Sequence, residues 1–304
     1  MTRTIQGVLP VLHTPFVDGV QIDQTSLQRE VDWVFALGSD GLCAAMVSEI
    51  LRLTIEERIS LAHQLVALTN GRGVVITSVG AESSRQAIEL AQAAERAGCD
   101  AVMAIPPLNA ALSEEAIYGY FSAIAEAVEL PLIVQDASSY VGGAMSTTLF
   151  VRLLDQLGPD KVLFKPEAAP MGPNLSALRD ASQGRARIFD GSGGILLIDA
   201  YRRGIAGTMP GTDLLDGIIR LWQALQAGDE DNAYRIYFPI CAIVALQLQA
   251  GLDGFLAIEK YLMVRRGIFQ NDSRRAPSGW QLDAETRSEV DRLFDQLQCV
   301  LQSS

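Results

Sequence analysis

Val162-Leu163-Phe164-Lys165 reads as a buried strand that ends in a lysine. That lysine is one of only three in 304 residues, against 21 arginines. An ammonium taken fully into apolar surroundings loses hydration worth several kcal/mol, and a lysine so placed commonly lowers its pKa. The neutral amine is a nucleophile toward carbonyl carbon, which makes Lys165 a candidate Schiff-base former. The competing reading is a lysine at a strand end whose ammonium reaches solvent or pairs with Glu167. The run by itself leaves both readings open.

The same kind of run recurs along the chain. Gly7 to Phe16, Gly41 to Ser48, Val74 to Gly80, Ala101 to Pro107, Pro131 to Ala137, Val162 to Ala168, Ala186 to Gly191 and Gly204 to Pro210 all read as strands. Amphipathic stretches separate them. In Glu82 to Gly98, for example, Ala87, Leu90, Ala91, Ala94 and Ala97 line one helical face. Thr54, Ser83 and Ser113 stand where N-caps belong, and Gly38 and Gly98 where helices would end. Eight strand–helix units in series predict an α/β (β/α)8 TIM barrel, a fold of about 250 residues. The rival, a doubly wound open sheet, fits the strand count less well. Beyond the eighth strand Asp213 to Ala227, Asp229 to Ala250, Phe255 to Gly267 and Ala284 to Gln298 read as helices. The expectation is one structural domain, with residues 1–212 supplying the barrel and 213–304 its last helix and a C-terminal helical extension. Barrel active sites lie at the carboxyl ends of the strands, where Lys165 falls, and this favours the reactive reading.

Composition narrows the partners. The chain is 49% hydrophobic and 20% charged with a net charge of −12, and its arginine pairs are isolated. Nucleic acid is therefore excluded as an expected partner, since it requires a basic stripe. The amino terminus has no apolar signal core, and the apolar stretch Phe238 to Leu246 is too short for a bilayer, so no membrane partner is expected. Cys43, Cys99, Cys241 and Cys299 form no CxxC pair, and only His13 and His63 are present. Neither a zinc site nor a disulfide framework is suggested, a histidine-rich metal site is excluded, and a reducing cytoplasm fits. His13 reads as a structural histidine that could face the barrel mouth, and His63 as a surface one.

Several strings together resemble the dihydrodipicolinate synthase and N-acetylneuraminate lyase family. They are Gly38-Ser39-Asp40-Gly41-Leu42 leading to Ser48-Glu49, then Leu53-Thr54 with Glu56-Glu57-Arg58, Gly80-Ala81-Glu82-Ser83-Ser84, Ala87-Ile88-Glu89-Leu90-Ala91, and Ala97-Gly98-Cys99-Asp100-Ala101-Val102. The resemblance covers nearly the whole chain and implies that Lys165, followed by Glu167-Ala168, is the family's Schiff-base lysine. Departures are equally specific. Where the family carries a relay tyrosine on strand five, this chain has Gln135-Asp136-Ala137-Ser138. The second tyrosine position falls in Pro106-Pro107-Leu108-Asn109, and the Gly-Thr-Thr-Gly-Glu loop reads Ala45-Met46-Val47-Ser48-Glu49. An amide cannot exchange protons near neutral pH as a phenol can. Val134-Gln135-Asp136-Ala137, Phe164-Lys165, Glu167 and Asp190-Gly191 look instead like a sub-branch of 2-keto-3-deoxy-sugar-acid dehydratases, such as L-2-keto-3-deoxyarabonate dehydratase. An acidic pair expected after Asp-Gly is replaced by Ser192-Gly193.

The resemblance implies a lyase acting on a small-molecule 2-keto acid. Lys165 would form the imine, Gln135 would orient a substrate hydroxyl, and Glu49, Asp136 and Glu167 are the acid/base candidates, with Tyr140 a further one. Val47, Ser48, Asp136, Gly191 and Thr208 are the candidate substrate-binding residues, with N–H groups at Val47-Ser48 aimed at the carboxylate. Each has a plainer reading. Glu49 could cap the turn near Leu51, Asp136 could hold a loop, and Glu167 could be an ion partner alone. Gly191 and Gly207 could mark close packing. Lys260, on an amphipathic helix, reads as solvated or snorkelling. Three functions compete: dehydration of a 2-keto-3-deoxy sugar acid, pyruvate-dependent C–C bond chemistry as in an aldolase, and binding of a 2-keto acid without turnover. The family habit implies a homotetramer or homodimer.

Overall fold

Each of the eight apolar runs contains a strand, in the expected order: β1 (Gly7–Val8), β2 (Gly41–Ala44), β3 (Val74–Ser78), β4 (Ala101–Ala104), β5 (Leu132–Asp136), β6 (Val162–Pro166), β7 (Phe189–Asp190) and β8 (Gly207–Thr208). The structure is a computed structural model and describes residues 3–303. Met1 and Thr2, at the start of the expected barrel segment, and Ser304, at the end of the expected extension, lie outside the described residues. Every residue of β3 to β6 is buried, as in parallel strands covered on both faces. The strands are shorter than the runs that announced them. The run at β2 stops at Ala44, and its remainder, Met46–Ser48, winds into a 3-10 turn followed by a second at Ile50–Arg52.

Helices follow the strands: α1 (Gln24–Ala36), α2 (Ile55–Thr69), α3 (Ser84–Ala97), α4 (Glu114–Glu126), α5 (Thr147–Leu157), α6 (Met171–Ala181), α7 (Leu197–Arg202) and α8 (Leu215–Ala227). Three more complete the chain, α9 (Glu230–Gln247), α10 (Gly251–Arg265) and α11 (Ala284–Gln302). The caps expected at Thr54, Ser83 and Ser113 are present. At α2 the Thr54 hydroxyl accepts the Glu57 N–H at 3.2 Å while the Glu57 carboxylate accepts the Thr54 N–H at 2.8 Å. This reciprocal box satisfies two donors that the first helical turn cannot, and each such cap stabilises by about 1 kcal/mol. Gly98 ends α3 at φ 89°, a conformation open to a residue without Cβ.

Two compact units interleave along the chain. The first runs up to Gly7 and includes Thr54–Gly191 and Asp199–Thr208; the second includes Val8–Leu53, Ser192–Ile198 and the chain from Met209 onward.

In the first unit β3, β4, β5 and β6 pair in parallel in sequence order. The Phe164 N–H donates to the Arg187 carbonyl at 2.9 Å beside the Phe164–Ile188 bridge, which carries the sheet on to β7. There Phe189 and Asp190 pair with Gly207 and Thr208 of β8. The carboxyl ends of β3 to β8 thus share one edge of a parallel sheet. At β8 a Cβ on Gly207 would stand 2.2 Å from the Gly7 carbonyl oxygen, so this backbone approach requires glycine.

In the second unit the Leu12 N–H donates to the Cys43 carbonyl at 2.8 Å and the Cys43 N–H to Pro10 at 2.7 Å. Helix α9 packs against α8, α10 and α11. The expectation drawn from Phe238 to Leu246 needs one correction. Among the described residues the helical run Glu230–Arg265 is long and apolar enough, by length and composition, to cross a membrane. Much of that run is nevertheless buried: Ala233, Ile236, Ile240, Ile243 and Val244 of α9 and Leu256, Ile258 and Leu262 of α10 all lie in the core. A core helix passes the same test of length and composition.

Candidate active site

The site in the first unit follows from strand register. Gln135 on β5 lies directly opposite Lys165 on β6. Side chains two residues apart in an extended chain share a face, so Glu167 follows Lys165 onto the same side. The Lys165 side chain is 5% exposed, and its Nζ lies 3.3 Å from Glu167 Oε1. Gln135 Nε2 donates to the other oxygen, Glu167 Oε2, at 2.6 Å. One carboxylate thus binds the amine with one oxygen and the amide with the other. Burial holds the Glu167 carboxyl above its ordinary range, while Lys165 and the Gln135 hydrogen bond pull it the other way.

Gly191, just after β7, completes the wall. A Cβ there would lie 2.1 Å from Glu167 Oε1 and 2.4 Å from Lys165 Cε, so any other residue displaces both. Next to it the Thr208 hydroxyl donates to Asp190 Oδ2 at 2.8 Å, fully buried. Asp136 behaves as the loop-holding reading anticipates: Oδ1 accepts the Ser138 N–H at 2.9 Å and Oδ2 the Met145 N–H at 2.7 Å. The loop is tied back where the Ser139 hydroxyl donates to the Glu167 carbonyl, and the Tyr140 N–H donates to Ala137 at 2.8 Å. Lys165, Gln135, Glu167, Gly191, Asp136 and Thr208 therefore gather at the carboxyl ends of β5 to β8. An amine, a carboxyl in contact with it and a carboxamide that orients the carboxyl form a set able to move a proton between nitrogen and oxygen.

Val47, Ser48 and Glu49 belong to the second unit, and the structure gives two of them work there. The Ser48 N–H donates to the Ala45 carbonyl at 2.9 Å. Its hydroxyl donates to the Leu12 carbonyl and accepts the Ala45 N–H at 3.0 Å. These donors, expected for a substrate carboxylate, are used inside the turn. Glu49 adopts φ 55° between the two 3-10 turns and makes no side-chain cap bond. Its Oε1 accepts from Lys260 Nζ and its Oε2 accepts the Arg275 N–H at 2.8 Å. Lys260 is accordingly not solvated or snorkelling. It is 0% exposed and also donates to the carbonyls of Thr14 at 2.7 Å and Ser273 at 2.9 Å. Burial lowers its pKa, with Glu49 opposing.

A second polar cluster in that unit escaped the histidine count. His13, Asp213 and Glu259 are buried with donor atoms within 4.8 Å of one another. Glu30 adjoins them, its Oε1 accepting the His13 N–H at 2.9 Å and the Thr212 hydroxyl at 2.6 Å. Burial pushes the Glu30 carboxyl up to about 8 and Asp213 up to about 6, and holds Glu259 well above the usual range. Burial, aided by Lys260, pushes His13 down to about 3. Only spacing across the whole chain unites these residues, so no local motif announces them. His63 is exposed, as expected.

The family model described as the dihydrodipicolinate synthetase family matches residues 4–297. An L-2-keto-3-deoxyarabonate dehydratase from Azospirillum brasilense is 29% identical over 293 residues, covering 94% of this chain and 92% of the relative. A 4-hydroxy-tetrahydrodipicolinate synthase from Neisseria gonorrhoeae is 32% identical over 183 residues, 60% of this chain and 62% of its own length. Among solved structures, dihydrodipicolinate synthase from Acinetobacter baumannii complexed with pyruvate matches with TM-score 0.87 at 25% identity, covering 97% of this chain and 99% of that one. The 4-hydroxy-tetrahydrodipicolinate synthase from Methylacidiphilum fumariolicum matches with TM-score 0.88 at 22% identity, covering 99% and 98%. The fold is thus the α/β TIM barrel with a C-terminal helical region.

Proposed function

The chain belongs to the dihydrodipicolinate synthetase family, and from that premise we propose that it dehydrates a 2-keto-3-deoxy sugar acid through an imine on Lys165. As a member of that family it is an aldolase-type lyase. The observation that carries the finer reading is the Lys165–Glu167–Gln135 set. At the family's tyrosine position stands an amide bonded to a buried carboxyl, and that carboxyl touches the lysine. Glu167 is therefore the group in place to handle protons, in preference to Glu49, whose oxygens hold Lys260 and Arg275.

The steps follow from that geometry. The Lys165 amine, once its ammonium has given up a proton, attacks C2 of the keto acid, and the carbinolamine takes a proton back and loses water to give an iminium. The iminium draws electrons from C3, and the Glu167 carboxylate removes a C3 proton to leave an enamine. The enamine expels the C4 hydroxyl, to which Glu167 returns the proton, and the departing group leaves as water. Tautomerisation and hydrolysis of the imine release the keto product and restore the amine. Burial favours the protonated form of Glu167 and so assists the return step, while the Lys165 ammonium favours the ionised form. Gln135 keeps one carboxylate oxygen in place, leaving the other to face the reacting centre. The imine serves as electron sink, so the steps invoke no cofactor.

Pyruvate-dependent C–C chemistry is the second reading, since it shares the imine and the relatives include synthases. Trapping with borohydride in the presence of pyruvate or a 2-keto-3-deoxy acid, followed by peptide mapping, tests the common step. An adduct on the Lys165 peptide supports both readings, and its absence overturns both. Semialdehyde formation supports dehydration; pyruvate release supports C–C cleavage; neither product, with adduct present, supports binding without turnover. Assembly as a homotetramer or homodimer and residence in the cytoplasm complete the proposal, the latter supported by Cys43, Cys99, Cys241 and Cys299, none of which is in a disulfide among the described residues.

A further inference from the structure

We propose that the second unit holds one divalent first-row transition metal ion between His13, Asp213 and Glu259. The three residues come from the segment after β1, the segment after β8, and α10, and all are buried among the described residues. Their donor atoms lie within 4.8 Å of one another. Zinc and its neighbours bind nitrogen and oxygen at about 2.0–2.2 Å, so the donors of a tetrahedral site end about 3.4 Å apart. Side-chain rotations that move each donor by about 1 Å close that difference.

Independent observations point the cluster toward a cation. Glu259 Oε2 is buried without a hydrogen-bond partner among the described residues and sits 3.7 Å from His13 Nδ1. His13 Nε2 and Glu30 Oε2 are likewise buried and unpartnered. Buried polar atoms are satisfied in the great majority of cases, so an unpartnered carboxylate oxygen on Glu259 and an unpartnered ring nitrogen on His13 call for an occupant. A Cβ at Gly211 would stand 2.5 Å from Glu259 Oε1 and 2.9 Å from Asp213 Oδ1, so both carboxylates converge beside a residue that has no side chain. Asp213 is already oriented from behind, where Gln247 Nε2 donates to its Oδ2 at 2.8 Å.

Among the described residues the nearby cations hydrogen-bond to other atoms than these donors, and Arg266 Nε reaches only the Asp213 backbone carbonyl, at 2.7 Å. Lys260 holds Glu49, and Arg266 forks onto Asp216 at 2.6 and 2.9 Å. An imidazole in the donor set disfavours magnesium and calcium, which prefer oxygen alone, and points to zinc, manganese or their neighbours. Three chain segments tied by one ion would give the site a structural role.

The test reads metal, not turnover, so its failure leaves the Lys165 reading standing. Native protein expressed with supplemented zinc or manganese is desalted and its metal content measured by mass spectrometry. It is then dialysed against a chelator and its Tm followed as Zn2+, Mn2+ or Mg2+ is returned. About one retained equivalent of zinc or manganese is expected, with a Tm rise of about 5 °C or more on return and none with magnesium. Glu259→Gln, of the same shape without the charge, should lose the ion. Should that variant not fold, visible absorption bands of Co2+ bound to the wild type, with about one equivalent at saturation, carry the same information. Retention below a tenth of an equivalent with an unmoved Tm overturns the proposal and leaves carboxyls that share protons. Equal retention by a folded Glu259→Gln, or no cobalt bands where that variant does not fold, also overturns it.

Discussion

Two buried lysines, one in each unit, both meet a glutamate, and their surroundings differ in what they leave free. Lys260 Nζ donates to Glu49, to Thr14 and to Ser273, and it lies 4.5 Å from the Phe16 ring centroid. Three donors have three fixed acceptors, an arrangement that immobilises an ammonium. Among the described residues Lys165 has one ion partner, Glu167 at 3.3 Å, and that partner divides itself between the amine and Gln135. A lysine with spare donors beside a carboxyl that tolerates either protonation state is equipped for chemistry. A lysine whose donors are all spent is equipped to hold a loop in place. Burial is common to both, so burial alone does not identify a reactive amine.

Four single substitutions and one double variant break or sharpen that contrast. Lys165→Met should lower turnover about 10⁴-fold or more and abolish borohydride trapping, while the Tm changes little, as kinetics and calorimetry would show. Lys260→Met should act oppositely. It strands the Glu49 carboxylate in the core at a cost of about 3–5 kcal/mol, read as a fall in denaturation midpoint, and the double variant Lys260→Met/Glu49→Met should recover most of it. If Lys260→Met proved as stable as wild type, the structural reading of this pair would be wrong. Glu167→Gln should keep the trapped adduct yet slow turnover about 10²–10⁴-fold, separating proton handling from imine formation. Gly191→Ala should destabilise by about 1–3 kcal/mol and slow trapping, since its Cβ has no room beside Lys165 Cε.

The smallest effect expected is one of pH. Glu167 has a folded pKa above its ordinary value of 4.5, so its contribution to stability is fully present below that value and is lost as pH rises through the folded pKa. The Tm of wild type minus that of Glu167→Gln should therefore decrease as pH increases above about 4.5. A difference that grew with pH would mean that Lys165 outweighs burial at this carboxyl.

What could be read in advance divides along a physical line. Local signals were legible because their physics is local. Apolar runs marked all eight strands, and Thr54, Ser83 and Ser113 capped where a hydroxyl can satisfy the first turn. Lys165 stood out because an ammonium at the end of an apolar strand is anomalous in any fold. The end of β2 was misjudged, since Ala45 to Ser48 are apolar enough for a strand yet coil into a turn held by the Ser48 hydroxyl and the Leu12 carbonyl, a distant partner. Lys260 was misjudged for the same reason: its partner Glu49 is 211 residues away, and helical spacing says nothing about it.

The sequence by itself determined the order of strands and helices, the helix starts and the identity of the unusual lysine, because dihedral preference, hydrophobic period and capping act within a few residues. Tertiary structure alone decided that Gln135 binds Glu167, that Gly191 closes on Lys165, and that His13, Asp213 and Glu259 converge. Those outcomes rest on strand register and on contacts between side chains far apart in the chain, where a shift of one residue turns a side chain to the opposite face.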